Sequence, residues 1–468
     1  MRLTVTPIEV PDDDPFRNDL LGRKKAAEAL TELVRSSADP LTLCLDAPWG
    51  QGKTTFLKMW RGLLEKSGIP TVVFSAWEHD FAEDPLIVLI GELEAQVKTV
   101  RTADGHDRAV RLQDAKRLGL KLAKAALPTA VKIATAGVLN LNDFTEEALA
   151  EWGEKAVERT LAQYEEQRQS VARFHAALTE FASELGKREN GAAVPLVVLI
   201  DELDRCRPTY AIQLLERLKH LFAVPGIVYV LALDREQLGH SVRSQYGAGV
   251  DADGYLRRFF DLELVLTRPP PAAFCKAQFQ RFGLETFFAK RVGEGTRYDR
   301  PQTEEGLSAL FESFDCTLRD QERAFSLLSL VARTTPPNFF LYPLLLSALI
   351  VLKLKATTLY REFVAGSRQP MEVIARIGQS ASGRELLNSN YGAALEAHLV
   401  ACPIEKNRTG DLVATYGNMV SDPSLPDNAK NRARQIAQIL GSHTFQTHAF
   451  GTLPYLVAKI ELVSEMQR

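Results

Sequence analysis

Ten residues, DAPWGQGKTT from Asp46 to Thr55, set two glycines, a lysine and two threonines between a short apolar run and a helical pattern. Residues of these types at this spacing can capture phosphate. Such a loop needs inward backbone N–H groups, a helix N-terminus, one Lys for the outer phosphates and one hydroxyl for magnesium. Gly50 and Gly52 supply backbone freedom, Lys53 the cation and Thr54 the hydroxyl, with Ala47, Trp49, Gln51 and Thr55 completing the loop. Ala47 stands where the usual pattern has its first glycine; it is small enough for close approach but narrows the backbone options.

A second constellation is VVLIDELDR, Val197 to Arg205, an apolar strand ending in acids. At such a tip Asp201 can hold magnesium, together with Thr54, and Glu202 can polarise an attacking water. By itself the pattern also fits a strand running into a charged turn. It gains force from the loop upstream, because each motif calls for the other at the carboxyl edge of one sheet. Asp234 closes a further strand and has two readings: a polar group facing the outermost phosphate or the water, or the cap of the helix that follows. Arg257 and Arg258, and Arg319 and Arg323, could each bring positive charge to a phosphoryl group, in cis or from a neighbouring subunit. The plain alternative for each arginine is a surface or interface salt bridge.

These residues need a scaffold of alternating strands and helices. Apolar runs at Leu41–Leu45, Thr71–Ala76, Pro195–Ile200, Gly226–Leu233 and Leu262–Leu266 read as strands. Helical spacing covers Asp19–Val34, Thr54–Leu64, the segment from Asp84 with Pro85 in its first turn, and Tyr210–Phe222. The expectation is an α/β fold: a three-layer αβα core with a parallel sheet, a helical insertion between phosphate loop and acid strand, and a helical C-terminal region. The expected divisions are 12–99 and 192–268 for the two parts of the core and 100–191 for the insertion, which includes a long amphipathic pattern over Glu146–Leu185. A lid-like helical region is expected at 269–350 and a partner or assembly region at 351–468, with helices at Leu344–Lys355, Ala356–Val364, Glu385–Val400, Asn428–Leu440 and Pro454–Met466.

With 468 residues the chain can bury a large core, and its 46% hydrophobic and 25% charged residues are those of an ordinary globular protein. A net charge of -3 provides no global field for nucleic acid or an acidic membrane. Five scattered cysteines lack disulfide or zinc spacing, and His398, His443 and His448 lack a consistent metal-ligand spacing. MRLTVTPIEVPDDDP does not fit a secretory signal, so a cytoplasmic protein is expected. Residues 119–141 have the length of a membrane span, but Lys121, Lys124 and Lys132 interrupt it, and a packed helix is expected instead.

The motifs resemble the KAP family of P-loop NTPases, within the broader division that includes AAA+ and STAND proteins. The resemblance rests on Trp49-Gly50 within the loop, VVFSAWEHD with Trp77, and Asp204-Arg205-Cys206 after the acid pair. It continues through RPTYAIQLLERLKHLFAVPGIVYVLALDRE and GYLRRFF, and covers roughly residues 12 to 350. It implies ATP binding and hydrolysis with Mg2+ by an ASCE-type core, with Lys53 and Thr54 at phosphates and magnesium and Asp201 on magnesium. It also implies a molecular switch that self-associates and acts with partner proteins encoded nearby in a bacterial anti-phage or conflict system. Many relatives have Asp-Asp at the strand tip where this chain has Asp201-Glu202; many also carry transmembrane helices in the insertion, where this chain has only the Lys-interrupted segment 119–141, so membrane attachment is not expected here. The alternatives are a nucleotide-binding scaffold without turnover and a nucleic-acid-stimulated ATPase.

Overall fold

Five apolar runs form one sheet: β1 (Leu41–Asp46), β2 (Thr71–Ser75), β3 (Leu196–Asp201), β4 (Ile227–Leu233) and β5 (Leu262–Val265). Every neighbouring pair is parallel, and the order is β2-β3-β4-β1-β5. The computed structural model describes residues 1–4, 7–37, 39–97, 154–187, 193–268, 270–293, 296–336, 339–404, 409–449 and 451–461. These fall into two compact units, Ile8–Thr267 and Met1–Pro7 with Arg268–Arg468.

A parallel sheet is buried on both faces, and the alternation along each strand sorts its side chains between them. On one face Leu43, Leu45, Val197, Leu199, Val228 and Val230 pack with helices α1 (Lys24–Arg35) and α2 (Lys53–Lys66). On the other, Val72, Phe74, Val198, Ile200, Tyr229 and Leu231 pack with α3 (Pro85–Val97), α4 (Glu154–Gly186) and α5 (Pro208–Arg217). Helices α6 (Arg235–Tyr246) and α7 (Ala252–Leu256) join the same cluster through Leu238, Val242, Ala252 and Leu256. The result is the expected three-layer α/β core. Trp60 of α2 is fully buried with its indole nitrogen on the Thr31 hydroxyl at 3.0 Å, so its polar atom is satisfied inside the apolar layer.

Strand β4 lies between β1 and β3, so the phosphate loop after β1 and the acids after β3 flank the tip of β4 at one edge of the sheet. Segment 119–141 lies outside the described residues, as does much of the insertion, of which α4 is the described part. Among the described residues no helix is long and apolar enough to cross a membrane.

The other unit is helical: α8 (Pro271–Arg281), α9 (Glu285–Ala289), α10 (Asp299–Ser313), α11 (Leu318–Thr334), α12 (Pro343–Lys355), α13 (Thr357–Val364) and α14 (Pro370–Ile377). It continues with α15 (Ala381–Asn388), α16 (Asn390–Ala401), α17 (Thr409–Ser421), α18 (Asp427–Gly441), α19 (His443–His448) and α20 (Leu453–Glu461). Helix α12 is buried all round from Pro343 to Leu352, as its unbroken apolar sequence requires, and sits inside the cluster that joins α8 to α20. The expected division between 350 and 351 falls inside α12, with one hydrophobic cluster on both sides of it.

One expected helix divides. The pattern over Glu385–Val400 is two helices, broken at Ser389, whose extended backbone and side chain cap α16 by accepting from Gly392 N at 3.2 Å. Gly392 lies so close to the Leu386 carbonyl that a β-carbon there would meet it at 2.2 Å, so the close turn excludes a continuous helix. All five cysteines are free and buried.

Candidate functional site

The phosphate loop opens where β1 ends. Gly50 and Gly52 both have left-handed backbones, with φ of +80° and +79°, a region that glycine enters without strain. Gly52 is the N-cap of α2, so the first helical residue is Lys53 and the free N–H groups of that helix end face the loop. Ala47 is fully buried and its N–H donates to the Leu233 carbonyl of β4 at 3.1 Å, which seats the start of the loop against the neighbouring strand.

Lys53 is only 9% exposed, and its Nζ donates to the Ala47 carbonyl at 2.5 Å and lies 3.8 Å from Asp204 Oδ2. The ammonium is thus held within its own loop. The Thr54 hydroxyl lies close enough to the Asp201 carboxyl to act on its titration, which brings together the two groups that sequence paired for a divalent cation. Burial raises the Asp201 pKa above the usual carboxylate value, against the lowering effect of the Thr54 hydroxyl. Left-handed glycines, a helix N-terminus, a confined lysine and a hydroxyl–carboxylate pair make a set of donors that fits a nucleotide phosphate with its divalent cation.

Glu202 also has a left-handed backbone, φ +62°, unusual for a residue with a side chain. Its Oε1 accepts from Arg205 Nη1 at 2.6 Å, and the Ser75 hydroxyl at the end of β2 is 3.4 Å from its Oε2. Arg205 in turn lies over the exposed Trp77 ring, 5.6 Å from its centroid. The Trp77 segment is tied to the start of α5 by Asp80, which accepts from both the backbone N–H and the Nε of Arg207 at 2.8 Å.

Asp234 caps the helix that follows and also braces the phosphate loop. Oδ1 caps α6 by accepting from Gln237 N at 3.2 Å, while Oδ2 accepts from Trp49 N in the phosphate loop at 3.1 Å. Asp46 returns the link, accepting from Arg235 N at 3.0 Å.

Within the α/β unit, Arg257 and Arg258 lie at the opposite end of the sheet from the phosphate loop. Arg257 and Arg258 are exposed and precede β5, entering it from its amino end beside Asp261, which bonds to Thr42 in the first half of β1. The parallel register runs away from them toward the phosphate loop. Arg319 and Arg323 are exposed on α11, in the helical unit.

Two buried residues at the site had no role assigned from sequence, although Asp204 belongs to the motif that carries the family resemblance. Asp204 is nearly inaccessible, accepts from Trp49 Nε1 at 2.5 Å and from Asp234 N at 3.0 Å, and has its pKa raised by burial. Arg23, at the start of α1, is buried with its Nη1 3.4 Å from the Gly52 carbonyl and Nη2 3.2 Å from that of Thr267, and burial lowers its pKa to about 10. As a third acid in the strand-tip motif Asp204 offered a signal for such a role; a single arginine before a helix carries none. Among the described residues no group of three or more His, Cys, Asp or Glu side chains is arranged to hold a metal, and this includes the described histidines of the helical unit.

Comparison with known proteins adds a family. The KAP family P-loop domain matches residues 23–334. A comparison with curated proteins gave no match. Among solved structures, the chain is similar to the Aeropyrum pernix ORC2 protein in its ADPNP-ADP complexes, at 14% identity over 89% of this chain and 95% of that one. The TM-score is 0.32, and the likeness carries no further argument.

Proposed function

The chain belongs to the KAP family of P-loop domains, and from that premise we propose that it is an ATP-binding and ATP-hydrolysing molecular switch. The observation that carries the proposal is Lys53, confined beside left-handed Gly50 and Gly52 and followed by Thr54 close to the Asp201 carboxyl. Ala47, Trp49, Gln51 and Thr55 complete the loop around the phosphates. Lys53 turns from the Ala47 carbonyl to the outer phosphates, and Thr54 and Asp201 hold Mg2+. When bound, that ion neutralises charge on the phosphate oxygens.

Glu202 takes a proton from water as the water oxygen attacks the outermost phosphorus and the bond to the leaving phosphate breaks. To do so it must leave Arg205. Asp234 fixes the loop backbone from the tip of β4. Positive charge for the transferring group comes from Arg258 or Arg319 of a neighbouring copy, which makes self-association part of the proposal.

Residues 12–99 and 192–268 are the ATPase core in this reading, 100–191 the insertion, 269–350 a lid-like region and 351–468 the partner or assembly region. A switch requires ATP to bind one conformation more tightly than another. The setting proposed is the bacterial cytoplasm, in an anti-phage or conflict system with partner proteins encoded nearby.

Phosphate release by the wild type beside Lys53→Ala and Glu202→Gln tests the reaction. Turnover should vanish in both variants, with ATP binding kept in Glu202→Gln; turnover insensitive to Lys53 would refute the assignment. The Glu202–Arg205 ion pair favours a second reading, a nucleotide-binding scaffold, which ATP binding without turnover under every condition would support. A rise in rate with DNA or RNA that fades with salt would instead mark a nucleic-acid-stimulated ATPase.

A further inference from the structure

One carboxylate oxygen, Asp204 Oδ2, collects three groups from two segments that are distant from it in sequence. It accepts from the Trp49 indole at 2.5 Å and from the Asp234 backbone N–H at 3.0 Å, and it faces Lys53 Nζ at 3.8 Å. Trp49 is held at both ends, its indole by Asp204 and its backbone N–H by Asp234 Oδ2 at 3.1 Å. Asp204 and Lys53 are both withdrawn from water, with side chains 2% and 9% exposed, so screening between them is weak.

We propose that Asp204 is a positioning residue that competes with nucleotide phosphate for Lys53 and links the phosphate loop, through Trp49, to the tip of β4 at Asp234. The proposal rests on the nucleotide-binding reading of the same site. Two consequences follow from the charge and the geometry. A carboxylate beside the phosphate cation opposes the approach of a polyanion, so Asp204 weakens ATP binding. Once phosphate draws Lys53 away, the same oxygen still holds the Trp49 indole and the Asp234 amide, so occupancy of the loop changes the electrostatic surroundings of Trp49 and of the turn after β4.

Asp204→Asn keeps the shape and an acceptor for both N–H groups while removing the negative charge. Its ATP affinity should rise about tenfold, a modest part of what a unit charge a few ångströms away can exert, while affinity for adenosine, which lacks phosphates, stays unchanged. A merely structural role would move both ligands together. In the wild-type chain, ATP should also change the Trp emission, and the change should be lost in Trp49→Phe; this second measurement stands if Asp204→Asn fails to fold.

Folded Asp204→Asn with unchanged or weaker ATP binding overturns the proposal, as does an ATP-induced emission change that persists in Trp49→Phe or is absent in the wild type. Lys53→Ala separates the two levels. If the wild type binds ATP and Lys53→Ala does not, a failure at Asp204 leaves the functional reading intact. If neither binds ATP, both fall.

Discussion

Glu202 and Arg205 form an ion pair, Oε1 to Nη1 at 2.6 Å, one turn beyond the tip of β3. The carboxylate assigned to water is thereby engaged by a cation from its own motif, and that cation lies over the exposed Trp77. Arg205→Ala should raise basal phosphate release by about two- to fivefold, the range of a partly exposed pair. Equal rates for the two proteins at low and high salt would show that the pair does not restrain Glu202.

Gly52→Ala places a β-carbon on a residue with φ of +79° at the head of α2. The left-handed conformation costs about 1–2 kcal/mol for a residue with a side chain. Relief of that strain would reshape the loop, so the variant should lose ATP affinity about tenfold or more while the protein still unfolds cooperatively. Titration with a fluorescent ATP analogue beside thermal unfolding checks both halves; full affinity with an unchanged melting temperature would contradict the loop geometry.

Arg291 is fully buried, with its Nε on Asp299 Oδ2 at 2.5 Å and an Nη bonded to the Phe339 carbonyl. Arg291→Met should destabilise the helical unit by about 3–5 kcal/mol, because Asp299 is left as an unpaired charge away from water. Arg291→Met with Asp299→Leu should recover much of that loss. Urea unfolding of both variants measures it, and equal losses in the single and double variants would contradict the account.

Burial pushes the His398 pKa down to about 4 from its usual 6.5. In the unfolded chain this imidazole takes up a proton as pH falls through 6.5, whereas in the folded chain it resists protonation until about 4. Stability should therefore fall as pH drops across that window, by on the order of 3 kcal/mol, and level off below it. His398→Phe should show a shallower loss, read as melting temperature against pH.

The sheet was legible because its runs are short, apolar and bounded by turn residues, and the five strands lie within a residue or two of their expected limits. The loop was legible because its chemistry is local, from Gly50 to Thr55. What sequence could not give are the links across long separations. Asp204 reaches Trp49 and Asp234 only because β4 lies between β1 and β3, and no periodicity encodes strand order. The bond from Trp49 N to Asp234 was equally hidden, because capping and bracing use different oxygens of one carboxylate and only the cap has a local sequence signal. The break at Ser389 was missed because the apolar spacing continues through it, while the local side-chain bond that interrupts the helix leaves no trace in that spacing.

The position of β4 also governs the order in which the chain can be assembled during synthesis. Strand β1 emerges early, yet Leu43 pairs with Val230 on one side and Leu262 on the other, and both come much later. At about 5–20 residues per second, the first strand waits on the order of 10–40 s for its central partner. Until then both of its edges are unpaired and its apolar side chains lack a sheet to lie in, the circumstance in which strands recruit other chains. The yield of folded protein should therefore depend on translation rate and chaperone supply more than on the stability of the finished sheet.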